Sequence, residues 1–248
     1  MPLPRLIPCL DVAAGHVVKG VRFQGLAEVG DPVELGALYS EAGADELVYL
    51  DVRATLDGRT ALVELVGRIA DRLAIPFTVG GGVRSVRDAI ALLEAGADKV
   101  SVNSAALERP ALLSEVASRL GSQAVVVAID ATATGEVRMR AGTEPGGREA
   151  VEWAREAVDR GAGEILLTCI DADGTRDGYD LDLTASVSEA VSVPVIASGG
   201  AGGAEHVAEA LGVAQAALLA SILHEDPARL GILREELRAL GVPLRDVA

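Results

Sequence analysis

The sequence predicts a parallel (β/α)₈ barrel, an α/β TIM-barrel fold built from two similar half-barrels, and three observations carry that expectation. Short β-branched and aliphatic runs alternate with helical patterns along all 248 residues. The runs are continuously apolar, as in AVVVAID, which is how strands buried on both faces read. The chain also repeats itself at half its length rather than at an eighth.

The expected strands are Arg5–Leu10, Glu46–Leu50, Pro76–Val79, Lys99–Val102, Ala124–Ile129, Glu164–Cys169, Pro194–Ala197 and Ala216–Ala220. Helical patterns fall between them at Pro32–Ala42, Thr60–Leu73, Arg87–Glu94, Pro110–Arg119, Glu149–Arg160, Leu181–Ala190, Ala204–Leu211 and Pro227–Leu240. Eight strands alternating with eight helices through right-handed crossovers close a parallel sheet. A single barrel domain over residues 1–248 suits this length. Two stretches lack helical period, Val12–Gly30 after the first strand and Ala131–Gly147 after the fifth. Both are rich in Gly and charge at the catalytic end of a strand, so the first is expected to form a lid and the second a small hairpin.

Half the residues are apolar but only 2% are aromatic, a composition of branched aliphatics suited to helix-on-sheet packing. The net charge of −15 repels nucleic acid and acidic membranes, and neither is an expected partner. Cys9 and Cys169 sit in apolar runs without metal-ligand or disulfide spacing, as buried reduced thiols do. The first ten residues are too short and proline-interrupted for a signal peptide, so the expected location is cytoplasmic.

The repeat is specific. Gly43-Ala44-Asp45-Glu46 returns as Gly161-Ala162-Gly163-Glu164, an offset of 118. Ile75-Pro76 with Val79-Gly80-Gly81-Gly82 returns at the same offset as Val193-Pro194 with Ala197-Ser198-Gly199-Gly200. Asp11 and Asp130 lie 119 apart, and Asn103-Ser104 and Ala220-Ser221 lie 117 apart.

Active sites of such barrels lie at the C-terminal ends of the strands. The polar residues there are Asp11, Asp51, Thr78, Asn103, Asp130, Thr168, Asp171 and Ser198. One such aspartate alone would read as a cap. Two, placed by the repeat on opposite strands of the barrel, read as a general acid and base. His16, His206 and His224 end no strand, which leaves proton transfer to carboxylates and argues against a histidine-rich metal site.

Gly80-Gly81-Gly82 and Gly199-Gly200 let backbone N–H groups approach an oxyanion, and Asn103-Ser104 and Ala220-Ser221 follow one strand later. That makes two phosphate cradles on opposite sides of the mouth, and hence a bisphosphorylated small-molecule substrate. Gly174 in Asp173-Gly174-Thr175 either supports the second cradle or forms a plain turn, and Lys19 either reaches over the substrate or is solvated.

IPCLDV, HVVKG, GDPVELGALYSEAGADELVYLD, FTVGGGV, GADKVSVNSAA, GSQAVVVAID, RGAGEILLT, IDADGTRDGYD and IASGGAG together resemble, in order and spacing, the HisF family. This is the cyclase subunit of imidazole glycerol phosphate synthase in histidine biosynthesis, a lyase. The resemblance covers essentially the whole chain. It implies that ammonia, delivered by a glutaminase subunit docked on the N-terminal face, joins a phosphoribulosyl aminoimidazole carboxamide ribonucleotide. The products would be imidazole glycerol phosphate and the carboxamide ribonucleotide. It implies Asp11 and Asp130 as the acid–base pair, and Lys19, Gly82, Asn103, Ser104, Thr168, Gly174, Gly200, Ala220 and Ser221 as substrate and phosphate contacts. It further implies Arg5, Glu46, Lys99 and Glu164 as an ammonia gate, where residue chemistry alone would say a salt-bridged plug. Asp98 and Gln123 fall near the expected docking face. No metal or cofactor is implied.

The sequence departs from the family pattern in places. Ala172 stands where the family often has Arg, Ser104 where Thr is common, and Gln215 where Asp is common, in a segment about one residue short. The related isomerase of the same pathway, also a doubled half-barrel with similar cradles and strand-ending aspartates, is the nearest alternative, and the bottom-face ring and the VVKG loop favour the cyclase. A non-catalytic phosphosugar-binding barrel is the other.

Overall fold

β1 (Arg5–Ala13) pairs in parallel with β2 (Leu47–Asp51) on one side and, closing the sheet, with the last barrel strand on the other. Around the ring follow β3 (Phe77–Gly80), β4 (Lys99–Val102), β5 (Val125–Ala131), β6 (Glu164–Cys169), β7 (Val195–Ser198) and β8 (Ala216–Leu219). Each is hydrogen-bonded to its neighbour, so the eight-stranded barrel is complete. The computed structural model describes residues 3–21, 24–52, 59–224, 226 and 228–246.

Helices Pro32–Glu41, Arg59–Ala70, Val86–Glu94, Ala111–Leu120, Ala150–Asp159, Leu181–Ala190, Ala204–Val213 and Arg229–Ala239 lie where the periodicity places them, to within a few residues. Several starts are chemically explicit. Asp31 accepts from the N–H groups of Val33 and Glu34 with Pro32 at the first helical position, Ser85 accepts from Asp88, and Asp180 from Leu183. Two short helices, Ser104–Glu108 and Ser221–His224, escape the sequence reading because one turn carries no period.

The half-length repeat is a repeat of register. Asp11 lies beside Leu50 and Leu50 beside Gly80; a half-chain later Asp130 lies beside Thr168 and Thr168 beside Ser198. The turns repeat as well. Gly81 and Gly199 both have left-handed backbone, and an added Cβ would meet Asp51 O at 2.3 Å in one half and Cys169 O at 2.7 Å in the other. Only glycine permits these approaches.

The two long connections differ. Residues 131–147 form the expected hairpin, with strands Glu136–Met139 and Glu144–Glu149 extending β5 through the pair Asp130 and Arg138. Residues 12–30, expected as a lid, are in their described part an antiparallel extension of β1 with strands His16–Val21 and Gln24–Gly30. Val17 and Val18 are both buried, so HVVKGV shows neither helical period nor strand alternation in the sequence.

Two apolar clusters fill the molecule. The larger packs helices on strands and contains the fully buried Tyr39, Tyr49 and Trp153. The smaller is the barrel interior, built from Ile7, Cys9, Val48, Val126, Ala128, Leu166, Ile196, Ala216 and Leu218. At the N-terminal face the barrel is latched by Arg234, only 2% exposed. Its Nη1 donates to Gly43 O at 2.7 Å and lies 3.3 Å from Asp45 Oδ2. Among the described residues no helix is long and apolar enough to cross a membrane.

Candidate active site

Successive residues of a strand point to opposite faces, so the interior cluster fixes which side chains look along the barrel axis. On β1 the interior residues Ile7 and Cys9 are preceded by Arg5 and followed by Asp11 at the same spacing. On β6, Leu166 lies between Glu164 and Thr168; on β5, Val126 and Ala128 lead to Asp130. Lys99 and Asn103 stand in the same relation across Ser101. β1 and β6 thus carry charge at the bottom, apolar atoms in the middle and a polar group at the mouth.

At the mouth, Asp130 is 9% exposed and its Oδ2 accepts from Asn103 Nδ2 at 2.8 Å. Burial pushes its carboxyl up, to about 6. The Asn103 amide works against that rise, and the charges of Asp173 and Asp11 add to it. Asp11 is half-buried on the opposite strand, 3.9 Å from Cys9 Sγ. The charge of Asp11 thus reaches Asp130 across the mouth, though burial is the larger cause of the rise.

The structure brings the residues expected for the second cradle together. Asp173, Gly174, Ser198, Gly199, Gly200, Ala220 and Ser221 line one concavity. Gly200 is left-handed, and a Cβ there would come within 1.9 Å of Gly178 O, so the chain closes behind the cradle only with glycine. Arg176 Nη2 donates to Ser221 O at 3.2 Å, a support the sequence reading missed because loop residues carry no pattern. On the other side, Gly82 has left-handed backbone, and Asn103 precedes the short helix that Ser104 opens without a side-chain cap bond to it. Ser104 Oγ accepts from the N–H of Arg140 at 3.0 Å, another contact sequence reasoning did not find. Lys19 lies on the strand His16–Val21, and its side chain falls outside the described residues.

At the bottom the four expected charges form a closed ring. Arg5 Nη1 lies 2.8 Å from Glu46 Oε1, and Lys99 Nζ lies 3.0 Å from Glu46 Oε2 and 2.9 Å from Glu164 Oε2. Arg5 Nη2 to Glu164 Oε1 completes it. Burial opposes the charge on Arg5, but Glu164 and Glu46 outweigh it and hold the guanidinium above its ordinary value. Burial likewise pushes Glu46 up, and Arg5 and Lys99 bring it below its ordinary value.

Around the ring, the residue ahead of three strands caps the preceding strand. Asp45 accepts from Leu6 N, Asp98 from Phe77 N and Gln215 from Val195 N, each at 2.9 Å. Gln215 thus does with an amide oxygen what Asp98 does with a carboxylate, and β8 pairs in register with β7. Asp98 and Gln123 are exposed; Gln123 Nε2 bonds Leu120 O at 3.2 Å.

A doubled (β/α)₈ barrel with two carboxyls and glycine turns at its mouth places the chain among the barrel proteins whose chemistry lies at the C-terminal strand ends. The sequence profile of the family described as "Histidine biosynthesis protein" matches residues 5–229. The chain is 58% identical to "Imidazole glycerol phosphate synthase subunit HisF" of Acidobacterium capsulatum, over 97% of each chain. It is 55% identical to the subunit of the same name from Synechococcus sp. (strain CC9311), over 97% of this chain and 95% of the relative. For that of Exiguobacterium sibiricum the identity is 52%, over 99% of this chain and all of the relative. The chain belongs to the HisF family of histidine-biosynthesis enzymes.

Proposed function

We propose that the chain is the ammonia-dependent cyclase, a lyase, that joins ammonia to phosphoribulosyl-formimino-aminoimidazole carboxamide ribonucleotide. It releases imidazole glycerol phosphate and aminoimidazole carboxamide ribonucleotide. The observation that carries this reading is the pair of aspartates at equivalent register on opposite strands, one buried with its carboxyl near 6 and responding to the charge of the other. Names of the relatives make each of them one subunit of a synthase, and we take the partner of this chain to be a glutaminase that docks on the N-terminal face. Both would work in the cytoplasm.

Ammonia adds to the ribulosyl carbonyl carbon, the nitrogen loses protons, and the carbonyl oxygen leaves as water. The new nitrogen then closes onto the formimino carbon while the bond from that carbon to the carboxamide amine breaks. Asp130, able to carry a proton near neutrality, donates to the departing oxygen; Asp11 accepts from the attacking nitrogen. Asn103 fixes the donor oxygen, and Thr168, beside Asp130 in register, faces the substrate. Gly82, Asn103 and Ser104 hold one phosphate and Gly174, Gly200, Ala220 and Ser221 the other, with Lys19 approaching from the β1 extension. Holding both ends of a long substrate fixes the reacting carbons between the two carboxyls. The ring of Arg5, Glu46, Lys99 and Glu164 admits ammonia from the partner's side.

The test is substrate loss followed by absorbance, with an ammonium salt at alkaline pH. Ammonia-dependent loss with formation of imidazole glycerol phosphate is expected. No ammonia dependence, with ring opening of the preceding ribosyl compound instead, would make the chain an isomerase and leave the ring a plug.

A further inference from the structure

The hairpin after β5 meets the first cradle at one residue. Arg140, in the turn between Glu136–Met139 and Glu144–Glu149, donates its backbone N–H to Ser104 Oγ at 3.0 Å. Its guanidinium reaches Glu108 Oε1 at 3.2 Å, at the far end of the Ser104–Glu108 helix. The same guanidinium holds Glu144 Oε1 at 2.9 Å on the return strand, and the Thr143 hydroxyl donates to Arg140 O at 2.7 Å. Both ends of the short helix are tied to a single residue of the hairpin.

Two features set this apart from ordinary surface ion pairing, which rarely matters. Arg140 and Ala141 both have left-handed backbone, with φ of 51° and 55°, a conformation that side chains keep only where their surroundings over-determine it. The second feature is the direction of the serine bond. A hydroxyl has one proton, and because Ser104 Oγ accepts from Arg140, that proton is left to be donated elsewhere. Donation is what an anion at this helix start requires.

We infer that Arg140 is a positioning residue for the first phosphate cradle. Its N–H sets the Ser104 hydroxyl as a donor, and its side chain, through Glu108, holds the helix against the hairpin. The contact closes a circuit. Asp130 binds Asn103, Asn103 precedes Ser104, Ser104 binds Arg140, and the hairpin returns through Arg138 to Asp130, its partner in register. Strength of phosphate binding and placement of the acid are thereby set by one loop. The inference rests on the reading of Ser104 as a phosphate ligand.

Arg140→Gly tests it, because glycine keeps the N–H and suits left-handed backbone while removing the guanidinium. A merely structural arginine would leave phosphate binding unchanged in this variant. Titration calorimetry with inorganic phosphate, in a Ser221→Ala background so that the first cradle is read, should show binding weakened about five- to tenfold by Arg140→Gly and by Glu108→Gln. Arg140→Lys should recover most of it. In the ammonia assay KM should rise by a similar factor with kcat within about twofold. Unchanged phosphate affinity in both variants would overturn the inference. The calorimetry does not depend on turnover, so a chain inactive with ammonia but weakened by Arg140→Gly would refute the cyclase reading and leave this one standing.

Discussion

Asp11 and Asp130 hold the same register in the two half-barrels, yet their neighbours differ. Next to Asp130, on β4's extension, is Asn103, which donates an amide hydrogen to it at 2.8 Å. The corresponding position next to Asp11, at the end of β8, is Ala220, which has nothing to donate. On the other side Asp130 lies beside Thr168 and Asp11 beside Leu50. The repeat therefore sets where the carboxyls stand, and single substitutions around them set what each can do. Under the proposed chemistry, those differing neighbours are what separate an acid from a base at two positions of equal register.

The largest effect should come from removing either carboxyl. Asp11→Asn and Asp130→Asn should each lower kcat by about 10³-fold while substrate still binds, measured by ammonia-dependent turnover and by equilibrium binding. The pH profiles sharpen the comparison: residual activity of Asp11→Asn should keep a limb near 6, and that of Asp130→Asn should lack it. Full activity in either variant would end the idea of a pair.

Next in size is the shared backbone. Gly81→Ala and Gly199→Ala place a Cβ against Asp51 O and Cys169 O, at left-handed φ in both cases. Each should cost about 2–4 kcal/mol in chemical denaturation, and a large inequality between them would show that the halves are less alike than their register.

A smaller effect tests the asymmetry. The Asn103 amide lowers the carboxyl of Asp130, so Asn103→Ala should move its titration above 6 and carry the rate limb upward with it. With Asp130 as the acid, the descending limb should move to higher pH, so the share of activity kept at pH 8 relative to pH 6.5 should rise in ammonia-dependent turnover.

The smallest effects contrast top with bottom. Glu46 is held below its ordinary value, so its contribution is full above about pH 4.5 and is lost as pH falls through the folded value. Glu46→Gln should cost about 1–2 kcal/mol at pH 7 and progressively less in acid. Asp130 is the reverse. Its folded pKa is raised, so ionisation destabilises the fold, a penalty absent below about 4 and complete above about 6. Asp130→Asn should therefore gain about 1–3 kcal/mol at pH 8 and nothing at pH 3.5. The carboxyl at the mouth opposes stability where the ring carboxyl supports it.

Strand order and the polar strand ends were readable because each strand is an apolar run stopped by a carboxylate, amide or hydroxyl. The inward register was not, since Val125–Ala131 is buried on both faces and shows no alternation. The pairing within the ring also lay beyond the sequence, as Arg5 and Glu164 are 159 residues apart. Arg140 and Arg176 were passed over because a turn residue's role is decided by what the fold brings to it. Residues 12–30 carry no helical period, and the strands of their described part, with Val17 and Val18 both buried, carry no alternation to announce them either.

Arg234 has a kinetic consequence. Its bond to Gly43 O spans 191 residues, and the seam between β1 and β8 has comparable reach. As the polypeptide leaves the ribosome, β1 emerges long before the strand and the arginine that will seal it. Until then one side of β1 is a bare edge, open to pairing with a neighbouring nascent chain. Seam closure, the event of highest contact order, should limit the folding rate, and variants at Arg234 should aggregate during synthesis more than their equilibrium stability suggests.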